Sequence, residues 1–192
     1  MKHKQPDYPK AALEQELEYF TDLNIQGFIQ ECLGDFPGYF WKAPASGTGK
    51  YHDEEENQEG GLVTHTRRVI RVVEELGNFH GLSFWETDVL RAAAILHDSF
   101  CKGLDGHTSR TTTDVFHPLY VRFRFPFIGY ADRFIDERTY DEIMLCVESH
   151  SARWSVSKVL NVDKKLPRIF QVADFIASRK NIKVHVDKKG TP

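Results

Sequence analysis

His97 and Asp98 stand side by side in this chain, and an imidazole beside a carboxylate can hold a divalent metal ion. A His-Asp pair alone arises often by chance. Four further residues give it company: His65, His117, His150 and Asp174. Each lies on, or at the end of, a segment with helical apolar spacing. Taken singly, each has an ordinary explanation. A lone histidine on an apolar face is usually a hydrogen-bonded core histidine, and a lone helical aspartate is usually a cap or half of an ion pair. Taken together they would leave much polar surface to satisfy inside a core, where an unpaired carboxylate is costly. Helix bundles meet that demand by projecting ligands inward from several helices onto a metal.

The elements that must position these residues are legible from periodicity. Leu13, Leu17, Phe20, Leu23, Ile25, Phe28 and Ile29 predict one helix over 11–32, or two with a break near Asn24. Residues 34–60 read as a long loop, a length that is often functional in compact domains. Its acidic stretch Asp53–Glu56 reads equally well as a poorly ordered surface loop. Leu62, His65, Val69, Val72 and Leu76 share one helix face. A second helix runs from about Trp85 to His97, with Leu90, Ala94 and His97 on one side. Residues 99–113 form a loop rich in Gly, Ser and Thr. A helix starts near His117, although the alternation of Val121, Phe123 and Phe125 leaves a strand open there. Ile143, Val147 and His150 mark a helix over 137–149. The last helix opens near Pro167, with Phe170, Asp174 and Ala177 on one face. The expected fold class is all-α.

Composition sets bounds. The 192 residues suit one sizeable core, and 41% of them are apolar. A formal net charge of -3 gives no global basic surface, so long nucleic acid is not an expected partner. The Lys-rich end, Lys180 to Lys189, reads as a solvated tail. The three cysteines, Cys32, Cys101 and Cys146, are widely spaced and form no CxxC pair. That argues against a disulfide framework or a cysteine zinc site and for a reducing, cytoplasmic compartment. No signal peptide or membrane span is expected. Phosphate-loop, dinucleotide-fold and serine-elbow motifs are absent. The aromatic stretch Phe123, Phe125, Phe127 and Tyr130 reads as core packing or as an oligomer interface.

The ordered text Gly60-Gly61-Leu62-Val63-Thr64-His65, Ala94-Ile95-Leu96-His97-Asp98, His117-Pro118, Glu148-Ser149-His150 and Ala173-Asp174-Phe175-Ile176-Ala177-Ser178-Arg179 resembles the HD superfamily of metal-dependent phosphohydrolases. The resemblance covers roughly residues 40 to 180. It implies a helical bundle over 11–180 with a metal site in its core, while residues 1–10 read from the sequence as a disordered N-terminus and 181–192 as a basic tail. It implies that His65, His97, Asp98 and Asp174 hold a first metal, and that His117 and His150 hold a second. Asp98 would bridge the two and orient a water. His107 competes for the His117 role. The ion would be Mn, Fe, Zn, Ni, Co or Mg.

Many members of that superfamily carry a phosphate-contacting lysine three residues after the motif aspartate. Here Lys102 comes one residue later, so it is either catalytic or a plain surface lysine. The text from Ala43 to His52 is similar to the segment before the first ligand in HD-type 3′–5′ exoribonucleases and in small bacterial and phage HD proteins. His52 is thus either turned to the phosphate or an exposed loop histidine. Arg67 and Arg179 are the other candidate substrate-binding cations. The implied activity is hydrolysis of a phosphomonoester or phosphodiester, with a small phosphorylated substrate such as a nucleotide. A nuclease acting on short RNA or DNA ends, or a metal-binding regulatory domain without turnover, are the alternatives.

Overall fold

The helical periodicity becomes α1 (Glu14–Leu17), α2 (Leu23–Gly34), α3 (Gly61–His80), α4 (Phe84–Leu96), α5 (His117–Arg124), α6 (Glu137–Ser149) and α7 (Lys165–Ala177). The computed structural model describes residues 12–46, 49–104, 113–151 and 164–186, and every regular element among them is helical. Residues 1–10, His107 and the end of the expected tail lie outside the described residues. Helix α3 packs on α4 and α7, α4 on α6, and α6 on α5 and α7. Helix α4 is buried continuously from Asp88 to Leu96, which is why its apolar residues run all round it rather than along one stripe.

The break in the N-terminal helical run falls earlier than Asn24, at residues 18–22. Its cause lies 67 positions away. The buried Asp88 carboxylate of α4 accepts from the Thr21 N–H at 3.0 Å, the Thr21 hydroxyl at 2.7 Å and the Asp22 N–H at 2.8 Å. Asp22 in turn caps α2 by accepting from the Asn24 N–H at 2.8 Å. Arg91 neutralises Asp88 at 2.6 Å and reaches Glu74 at 2.6 Å.

Residues 117–124 are helix, not strand. Val121 and Phe125 are buried and four apart, while Phe123 between them is exposed. Phe127 and Tyr130 pack against the same core, so packing accounts for all of that aromatic stretch but Phe123.

The 34–60 loop is more structured than its composition suggests. Phe36, Tyr39, Phe40 and Trp41 enter the core. The acidic stretch forms a 3₁₀ turn, Glu54–Asn57, laid across the start of α3. The Leu62 N–H donates to Ala43 O at 2.9 Å, the Gly60 N–H to Lys42 O at 3.1 Å, and the Ala45 N–H to Glu56 O at 2.8 Å. This approach depends on Gly61, where a Cβ would fall 1.9 Å from the Glu56 carbonyl oxygen. The start of the expected tail is tied back too, through Lys183 Nζ to Asp53 Oδ2 at 2.6 Å.

Among the described residues no helix is long and apolar enough to cross a membrane. The three cysteines are free and buried. Gly61→Ala is expected to destabilise the fold by about 2–3 kcal/mol, because backbone rather than a flexible side chain must move. Urea unfolding measures it, and an unchanged midpoint would show that the turn is not seated on α3 as described.

Candidate metal centre

The candidate ligands come from five separate segments. His65 stands in the first turns of α3. His97 caps the C-terminus of α4 and Asp98 follows it. His117 is the first residue of α5, His150 caps the C-terminus of α6, and Asp174 lies on α7. All six meet. His65 Nε2 lies 3.1 Å from Asp174 Oδ1 and 3.4 Å from His97 Nε2. His97 Nε2 lies 3.5 Å from Asp98 Oδ2. On the other side of the same carboxylate, Asp98 Oδ1 is 2.9 Å from His117 Nε2 and 3.6 Å from His150 Nε2, and those two nitrogens are 3.0 Å apart. The four histidines are at most 7% exposed, while the Asp98 and Asp174 side chains reach 17% and 20%. The carboxylates therefore form the solvent side of the cluster.

Helix ends fix the imidazole tautomers. The last carbonyls of a helix lack an intrahelical partner. His97 Nδ1–H donates to Ala94 O at 2.9 Å, and His150 Nδ1–H donates to Val147 O at 2.6 Å. His117 Nδ1–H donates to Asp114 O at 2.6 Å. A carbonyl oxygen can only accept, so each Nδ1 carries the hydrogen and each neutral ring turns an Nε2 lone pair inward. A carbonyl behind the ring that accepts from Nδ1–H is the arrangement that orients metal-bound histidines. The C-terminal ends of α4 and α6 also bring negative partial charge to the site.

Lone pairs facing each other at 3.0 and 3.4 Å require a positive charge between them, either a proton or a metal ion. Electrostatics show how the protein without an ion meets this. Burial opposes charge on His65, but Asp174 and Glu56 outweigh it and raise its pKa to about 10. Burial likewise opposes charge on His117, and Asp98 raises it. His150 is pushed down to about 4 by burial and by His117 and His97 beside it. Burial alone would raise Asp98, yet His97, His117 and His150 hold it well below the carboxylate range. Asp174 is lowered by His65 and His97 against its own burial. Ionised carboxylates among inward-facing imidazoles are a donor set that fits a divalent ion. Two residue groups could hold one, His65–His97–Asp98 and Asp98–His117–His150.

A third group, His52–Glu56–His65, was hidden in the sequence. Glu56 is fully buried. Its Oε1 accepts from Arg68 Nη1 at 2.9 Å, and its Oε2 meets His52 Nδ1 at 2.5 Å and faces His65 Nδ1 at 3.8 Å. Against its own burial, His52 and His65 hold Glu56 down at about 2. His65 Nδ1 has no hydrogen-bond partner, and the Glu56 carboxylate is the charge that faces it. Only the run Glu54-Glu55-Glu56 ahead of the glycine pair hinted at this residue, and an acidic run ordinarily marks solvent.

The other expected residues divide. His52 is not an exposed loop histidine: it is 14% exposed, with its ring 5.2 Å from that of His65. Arg179 stacks on Tyr51 and Phe175. Arg67 lies about 200° around α3 from His65 and pairs with the buried Glu16 at 2.6 Å, so it is not brought to the cluster. Lys102 is anchored through its backbone, its N–H donating to the Tyr39 hydroxyl at 3.2 Å. Its ammonium forms no ion pair among the described residues. Ser151 Oγ lies 3.4 Å from His150 Nε2, but that ring's Nδ1–H is spent on a backbone carbonyl rather than a carboxylate, which is no acid–base triad.

No family model, no curated protein and no solved structure matches the chain.

Because His65 is protonated at neutral pH without an ion, ion binding must expel its proton. Manganese titration by calorimetry at pH 7, in buffers of different ionisation enthalpy, should report release of at least one proton. Affinity should rise as pH climbs from 7 toward 10, since His65 then sheds its proton unaided. Proton-independent binding would mean that ions enter elsewhere. In the same titration Glu56→Ala is expected to weaken manganese binding roughly 10–100-fold and Glu56→Gln less.

Proposed function

We propose that this chain is a metal-dependent phosphohydrolase. It takes two divalent ions and cleaves a phosphomonoester or phosphodiester, with nucleotides as the substrate class. One observation carries the proposal: a single carboxylate, Asp98, offers its two oxygens to two separate imidazole groups. His65, His97, Asp98 and Asp174 would hold one ion, and Asp98, His117 and His150 the other. The imidazole-rich donor set favours Mn, Fe, Co, Ni or Zn over Mg. Bound ions of this kind acidify water and neutralise charge on a phosphoryl group.

The protein's own groups support the rest. Asp98 and Asp174 are ionised and reach solvent, so each can accept a hydrogen bond that orients an attacking water. His97, His117 and His150 each spend Nδ1 on a backbone carbonyl, so their rings already turn Nε2 toward the centre. No nucleophilic cysteine competes, because burial pushes the Cys32, Cys101 and Cys146 thiols up and keeps them protonated at neutral pH. The order His, His-Asp, His, His, Asp is also that of the HD phosphohydrolases the sequence resembles.

Metal analysis of the purified protein is expected to find two ions per chain. A panel of nucleotides and a chromogenic phosphodiester should reveal hydrolysis that chelation abolishes and manganese restores. Asp98→Ala should lose both ion stoichiometry and turnover, by at least about 1,000-fold. Full activity in metal-stripped Asp98→Ala would overturn the mechanism. Two bound ions with no hydrolysis across the panel would overturn the enzyme and leave a metal-binding domain.

A further inference from the structure

Beside the centre lies an arginine that the catalytic proposal does not account for. The Arg179 guanidinium carbon sits 4.8 Å from the Tyr51 ring centroid and 4.1 Å from the Phe175 ring centroid. Seven other arginines, from Arg67 to Arg133, face a carboxylate. Arg179 faces none among the described residues, and its Nε is enclosed without a hydrogen-bond partner. A guanidinium placed over two aromatic rings, with no carboxylate facing it among the described residues, is a preformed anion site.

Both rings are open to solvent: Tyr51 is 48% and Phe175 52% exposed. Both rings are one residue from groups that touch His65. Tyr51 precedes His52, whose ring contacts the His65 ring, and Phe175 follows Asp174, whose carboxylate meets His65 Nε2. The two chain segments are fastened together where the arginine stands, since the Lys180 N–H donates to Tyr51 O at 2.8 Å. The Arg179 N–H donates to Ile176 O at 3.2 Å, which holds the arginine at the end of α7.

The geometry points to a substrate subsite made by Tyr51, Arg179 and Phe175 that takes a phosphate ester bearing a planar ring. Arg179 contacts the anionic group, and the exposed faces of Tyr51 and Phe175 stack on the ring. Guanidinium planes and aromatic faces accept any nucleobase in this way, so the subsite recognises the presence of a base rather than its identity. This inference rests on the phosphohydrolase proposal for its substrate, but its test does not depend on turnover.

Calorimetric titration of the manganese-loaded protein with AMP and with ribose 5-phosphate separates the parts, because the two ligands share sugar and phosphate and differ only in the base. AMP is expected to bind about 5-fold or more tightly than ribose 5-phosphate. Tyr51→Leu with Phe175→Leu should bring the ratio of AMP to ribose 5-phosphate affinity to about 1, whatever the variant's own affinity for ribose 5-phosphate. Arg179→Ala should weaken both ligands alike, with Arg179→Lys recovering part of the loss. Equal binding of the two ligands by the wild type, an AMP preference that survives loss of both rings, or no AMP binding at millimolar concentration would each overturn the subsite. Hydrolysis of a chromogenic ester without an AMP preference would sink the subsite and spare the enzyme. An AMP preference that the ring variants erase, with no ester hydrolysed, would do the reverse.

Discussion

Everything at the centre turns on the crowding of unprotonated nitrogen around one carboxylate. Four imidazoles and two carboxylates converge in a space that excludes nearly all water, and their Nε2 atoms approach as closely as 3.0 Å. Neutral rings in those tautomers repel, and bare carboxylates there would be severely desolvated. The core tolerates the arrangement only with positive charge inside it. A proton on His65 serves in part when no ion is present, and a divalent ion, shared among several donors, would serve the whole cluster.

The frame answers that demand with contacts that carry no chemistry. Gly61 lets a 3₁₀ turn lie against the first turn of α3, and this delivers Glu56 to the back of the His65 ring. Tyr39 reaches from the preceding loop to the chain after Asp98, donating to Gly103 O at 3.0 Å and accepting from the Lys102 N–H. Gln171 ties α7 to the end of α6 by donating to Ser149 O at 2.9 Å, one residue before His150. Each of these holds a ligand-bearing segment by its backbone, where small displacements would move a donor atom directly.

The sequence disclosed the parts of this that are periodic. Helices α3, α4, α6 and α7 were readable from their apolar spacing, and so were the positions of His65, His97, His150 and Asp174 on or beside buried faces. What stayed hidden is non-local. The break before α2 depends on Asp88, which is far away in the chain and reads locally as an ordinary helical aspartate. Glu56 sits in an acidic run whose composition suggests solvent, and only the fold shows Arg68 and two histidines around it. The 117–125 segment satisfied both periods until Phe123 was seen to face outward. Arg67 and Arg179 look alike in the sequence as cations near ligands. A buried glutamate claims the first, and two exposed rings hold the second.

His97 and His150 occupy the closing positions of their helices and lean on carbonyls three residues back. An extra residue inside α4 or α6 would turn the terminal imidazole by about 100° and carry it about 1.5 Å along the axis. The lengths of these two helices are therefore as constrained as the identities of the histidines that finish them. Related chains that keep this centre should differ in length between the helices and hardly ever within them.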